Sequence, residues 1–102
     1  MTYKEQLKDP RWKAKAKEIK TRDNYICQIC GKRHSLHAHH VAYDFSLMAW
    51  EYDDEYLITI CDTCHKYEHD CKNKITTLLR EANLKGMMYM DIYSKLKPLI
   101  DF

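Results

Sequence analysis

The sequence predicts a small α+β domain, in which two short strands and a helix are preceded by one helix and followed by C-terminal helices. Three observations predict it. Two C-x-x-C pairs, Cys27-Gln28-Ile29-Cys30 and Cys61-Asp62-Thr63-Cys64, bracket the middle of the chain. A short stretch, Leu36 to Val41, and the β-rich Tyr56 to Ile60 lie between the pairs and read as antiparallel strands. Helix signals frame the flanks, with Asp9-Pro10 opening one amphipathic run and Gly86 closing another.

At 102 residues the chain is expected to form one domain, with residues 9–70 as its core and residues 71–102 as a helical extension. So short a chain buries a modest fraction of its surface, and a structural metal would relieve a thin core. Apolar residues are 45% and charged residues 31% of the chain, with only two Gly and two Pro, which is globular rather than disordered composition. No apolar run approaches the roughly 20 residues that span a bilayer. The stretch Met1 to Gln6 has no apolar signal-peptide core, so a cytoplasmic protein with no membrane partner is expected. There, paired cysteines hold metal more often than they form disulfides.

The net charge of +2 conceals an asymmetry. Residues 1–33 carry ten Lys/Arg against four Asp/Glu, while residues 44–70 carry one Lys against eight acids. A basic arm suits a polyanion, although a solvated helix face is the commoner meaning of such a run.

In chain order, residues 1–8 read as an irregular or weakly helical lead-in. A helix from Pro10 to about Arg22 follows, with Trp12, Ala16 and Ile19 toward the core and Lys13, Lys17 and Lys20 one residue on, as candidate phosphate contacts. Asp23-Asn24 ends it. The first cysteine pair comes next, with Gly31 permitting a tight turn. Residues 43–55 form an aromatic and acidic loop in which Trp50 and Tyr52 are read as packing. A helix from about Thr63 to Asn83 carries Cys64, His65 and His69 in its first two turns and Ile75, Leu78, Leu79 and Ala82 further on. A last helix, about Met87 to Lys97, is expected to bury Met88, Ile92 and Leu96, with Pro98 at or past its end.

Four cysteines in two such pairs, Cys27, Cys30, Cys61 and Cys64, are the ligand set of a closed tetrahedral Zn2+ site. One pair alone is weak evidence, and the second makes the signal strong. The histidines are a separate inventory. His65 and His69 are four apart and share a helix face. His39 and His40 are adjacent, so on a strand their side chains point to opposite faces. A second divalent ion, bound by imidazoles, could then be chemical. His37 shares the face of His39 and is read as a bystander, with ligand or outer partner as alternatives; His34 is read as an ordinary surface or core histidine. Cys71 is expected to be a buried free thiol.

Strand, loop, strand, knuckle and helix, with His39-His40 on the first strand and Cys64-His65 at the helix start, resembles the HNH endonuclease family of small phage and bacterial proteins, whose fold is a ββα-metal finger. The resemblance covers about residues 9–70. It implies that Cys27, Cys30, Cys61 and Cys64 hold the structural zinc, that His39, His65 and His69 hold a catalytic ion (Mg2+, Mn2+, Ni2+ or Zn2+), and that His40 is the general base. It also implies DNA as substrate and a bacterial or phage-infected cell. The family's central Asn would fall just before Leu57, where this chain has Tyr56. In the family that Asn orients the base, so the departure bears on turnover rather than on metal binding; Asp54 or the backbone could replace it.

Two further function classes stand beside the metal-dependent DNA endonuclease. One is a catalytically degenerate finger that binds nucleic acid or a protein partner, as a phage regulator or inhibitor would. The other is a structural adaptor that dimerises through its C-terminal helix. The intact His39, His40 and His65 favour the enzyme, whereas Tyr56 favours the others.

Overall fold

The computed structural model describes residues 1–100, which fall into a first compact unit, Met1–Tyr67, and a second that begins at Glu68. The architecture is α+β. In order, the elements are α1 (Tyr3–Gln6), α2 (Pro10–Arg22), β1 (Leu36–His40), a 3-10 turn (Asp54–Tyr56), β2 (Leu57–Cys61), α3 (Asp62–Leu84) and α4 (Tyr89–Ile100). No helix among the described residues is long and apolar enough to cross a membrane.

Helix α2 begins where the sequence signals it. The Asp9 carboxylate accepts the N–H of Arg11 at 2.8 Å, and Pro10 occupies the first turn, where its missing donor costs nothing. Its inner face carries Trp12 and Ile19, both buried, with Ala16 beside them. At its end the chain turns through Asn24 and Tyr25, both with left-handed φ (58° and 53°). Asn tolerates that conformation, while for Tyr it is strained. The Gln28 amide donates to the carbonyls of Asp23 and Ile26 and holds this turn.

Strands β1 and β2 pair antiparallel, with His39 opposite Ile58, His40 opposite Leu57 and Leu36 opposite Cys61. Paired residues share a face. Leu57 packs with Trp12, Ile19, Ala49, Tyr52 and Ala38, so one face of the hairpin is closed by α2 and the 42–53 loop. A smaller cluster of Cys27, Ile60 and Cys61 closes the region of the knuckles.

Two polar ties join α2 to β2. The Arg22 guanidinium donates to the carbonyls of Asp54 (2.5 Å) and Leu57 (2.7 Å). The Asp23 carboxylate accepts the N–H of Thr59 at 2.9 Å and pairs with Arg22. Burial pushes the Asp23 carboxyl up, but Arg22 and the Thr59 N–H outweigh it and hold the pKa below the usual carboxylate value.

The second unit departs from the expected burial. Met88 is 61% and Leu96 49% exposed, Ile75 and Leu78 are exposed, and Ile92, Leu79 and Ala82 are only half-buried. Apolar periodicity gives these residues one face, but a helical unit this small has too little apposed surface to close over it. Helix α3 stops before Gly86, whose φ of +92° is the left-handed conformation that suits glycine. Pro98 lies inside α4 rather than beyond it. It sits in the last turn, where its missing N–H removes a single hydrogen bond.

Candidate metal centres

The two knuckles converge from different elements. Cys27 and Cys30 lie on the turn after α2, with Gly31 at φ +83° and its N–H donating to the Cys27 carbonyl at 2.9 Å. Cys61 ends β2, and Cys64 lies in the first turn of α3. One sulfur from each of the four residues lies within 4.8 Å of the others, and all four thiols are free. The Cys30 and Cys61 sulfurs are 3.6 Å apart. Zinc–thiolate bonds of about 2.3 Å at tetrahedral angles put sulfurs about 3.8 Å apart, so the donor set fits the ion in number, type and spacing.

The electrostatics agree. Burial raises the Cys27 thiol, but the N–H groups of Cys30, Cys61 and Ile29 outweigh it and bring its pKa down to about 6. Cys61 is lowered, chiefly by the Cys64 N–H. Cys64 is pushed up to about 12 by burial and by the neighbouring thiols. Thiols this close cannot all ionise without a cation among them. The four cysteines could hold a zinc ion.

The imidazoles form a second group. On the hairpin face opposite α2, the nearly buried His39 meets His65 edge-on, with ring centroids 5.2 Å apart. His69 stands one turn further along α3. His37 stacks on His65 (5.3 Å, 19° between planes), and its Nε2 meets the Asp62 carboxylate. The register explains this second contact: His37 pairs with Ile60, and Asp62, two residues past Ile60, is its diagonal neighbour at the end of the ladder. Reading His37 as a bystander misses this contact, for which the i, i+2 spacing to His39 is the available signal. His34 is exposed, and Cys71 is half-buried rather than buried.

His40 lies on the other face, only 2% exposed. Its ring stacks on Trp12 at 4.9 Å and 18° and meets Tyr52 edge-on at 4.7 Å. Its Nε2 is 3.1 Å from the Ala49 carbonyl and its Nδ1 is 3.2 Å from the Tyr3 hydroxyl. A carbonyl only accepts, so Nε2 carries the hydrogen and Nδ1 keeps its lone pair. Burial lowers the His40 pKa, against the opposing pull of the Ala49 carbonyl, so the ring is neutral near pH 7.

The Tyr56 carbonyl accepts the N–H of Val41, and the Ala49 carbonyl orients His40, while the Asp54 carboxylate is engaged by Lys15. On α2, Lys13 and Lys17 are exposed and Lys20 is half-buried. Nothing in the sequence points to Tyr3, Gln6 or Ala49 as neighbours of His40, because those contacts are long-range.

No family model matches the chain, and no solved structure matches it. The chain is similar to the COX1/OXI3 intron 2 protein of Saccharomyces cerevisiae, with 41% identity over 58 residues. That match covers 46% of this chain and 7% of the yeast protein.

Proposed function

We propose that this protein is a metal-dependent DNA endonuclease of the HNH type that hydrolyses phosphodiester bonds with His40 as general base. The observation that carries the reading is the division of the adjacent histidines. His39 lies beside His65, with His69 the proposed third ligand one turn further along α3, while His40 is held apart with one defined proton-accepting nitrogen. Three imidazoles with room for further ligands are the donor set of a catalytic rather than a closed site. When bound there, a divalent ion supplies positive charge to the scissile phosphate and to the leaving 3′-oxygen.

This chain's residues supply the rest. The Ala49 carbonyl holds the Nε2 proton of His40, and burial keeps the ring neutral, so Nδ1 keeps a lone pair that can accept a proton. In the proposed step Nδ1 takes a proton from the attacking water. Lys13 and Lys17, exposed on α2, are the proposed phosphate contacts, with Lys20 partly available. A zinc held by Cys27, Cys30, Cys61 and Cys64 would tie the turn after α2 to the β2–α3 junction and so fix His65.

A second reading, a finger that binds nucleic acid or protein without cutting, is supported by Tyr56 at the Asn place and by the near-complete burial of His40. A plasmid-nicking assay with Mg2+, Mn2+, Ni2+ or EDTA separates the two. The nuclease predicts metal-dependent nicking that falls on the order of 10²–10⁴-fold in His40→Ala. Plasmid binding with no nicking under any ion selects the second reading.

A further inference from the structure

Tyr3 and Gln6 stand three residues apart on α1 and therefore share a face. Both engage the surroundings of His40. The Tyr3 hydroxyl lies 3.2 Å from His40 Nδ1, and the Gln6 Oε1 accepts the N–H of Ala49 at 2.7 Å. The same Ala49 accepts the His40 Nε2–H through its carbonyl. Four residues thus form a closed ring of contacts in which α1 touches His40 through Tyr3 and, through Gln6, the residue whose carbonyl orients it. Because Nε2 carries the hydrogen, the Tyr3–His40 bond has one polarity, with the hydroxyl donating to the lone pair of Nδ1. Burial, with Tyr43 and Tyr52 close by, raises the Tyr3 pKa to about 12 and keeps that donor protonated.

Resting on the reading of His40 as the base, we propose that α1 is a lid over the catalytic base: Tyr3 occupies the one nitrogen that a water must use, and Gln6 latches the lid to Ala49. A lone pair directed at the Tyr3 hydroxyl cannot at the same time accept a proton from water. Two features suit α1 to lifting. It has four residues and no buried side chain, with its N-terminus held by the Thr2 hydroxyl, and so short a helix is marginal by itself. A cleft of about 360 Å3, lined by Tyr3, Gln6, Tyr43, Phe45 and Leu47, already lies beside it.

The test uses the full chain with its zinc. Tyr3→Phe keeps the ring packing and removes the donor, and Gln6→Ala removes the latch without touching His40. Diethyl pyrocarbonate, which acylates a bare imidazole nitrogen, reports access to His40 by peptide mass, independently of any cleavage. The lid predicts that acylation of His40 rises in both variants by about 2- to 10-fold, the worth of one hydrogen bond, with zinc content unchanged. It predicts a rise of similar size in plasmid nicking. Unchanged acylation in both variants overturns the lid, and so does a fall in nicking with acylation raised, which would make Tyr3 an aid to the base. Raised acylation in proteins that nick no plasmid supports the lid and removes the nuclease reading instead.

Discussion

His39 and His40 are neighbours in sequence and lie on opposite faces of the hairpin, one paired with Ile58 beside α3 and the other paired with Leu57 beneath α2. Strand alternation alone produces this division. It assigns the two side chains to different surroundings, and substitutions at the two positions should therefore have different consequences.

The four-cysteine site should behave as part of the fold. Protein purified without added zinc is expected to hold about one tightly bound equivalent, and Cys27→Ser or Cys61→Ser should lose the metal and much of the structure of the first unit together. Elemental analysis paired with circular dichroism checks both. A folded, zinc-free protein with four titratable thiols would contradict it.

Asp23 should set part of the acid sensitivity. Its folded pKa is lowered from 3.8, so its contribution to stability is present above that value and is lost as the pH falls through the folded pKa. Asp23→Asn should cost about 1.5–3 kcal/mol near pH 7, the range for hydrogen bonds to a charged group. The difference between wild type and variant should shrink below pH 4 on chemical denaturation. A cost that does not change with pH would mean that Asp23 acts through packing alone.

The α2 lysines should act through charge. Replacing Lys13, Lys17 and Lys20 by Gln should reduce the slope of log K against log salt for duplex DNA by up to about 3, about 0.9 for each phosphate that is no longer neutralised. Zinc content should stay unchanged. The half-buried Lys20 is expected to contribute least. Equal slopes for wild type and variant would identify the face as merely solvated.

What can be read from the sequence is local. Asp9-Pro10 marks the start of α2 because capping is decided within four residues, and the two C-x-x-C pairs declare their shared site because ligand spacing is a local property of a knuckle. The strands follow from β-branched and alternating residues flanked by turns. What cannot be read depends on the partner surface. Periodicity on α3 and α4 shows that they are amphipathic, but not whether anything covers Ile75, Leu78 or Met88. The surroundings of His40 are invisible for the same reason. Tyr3 lies 37 residues away, and nothing in a stretch that reads as an irregular or weakly helical lead-in announces a hydrogen bond to a strand. His37 sits between these cases, since its face is legible and its Asp62 partner is not.

The most direct measurement pairs metal titration with cleavage in single variants of the adjacent histidines. Mn2+ is titrated calorimetrically into zinc-loaded wild type, His39→Ala and His40→Ala, and plasmid nicking is followed on the same preparations. The account predicts that His39→Ala loses both the second metal and the nicking, whereas His40→Ala keeps the metal and loses the nicking. Loss of the metal in His40→Ala, or nicking retained in either variant, would contradict it.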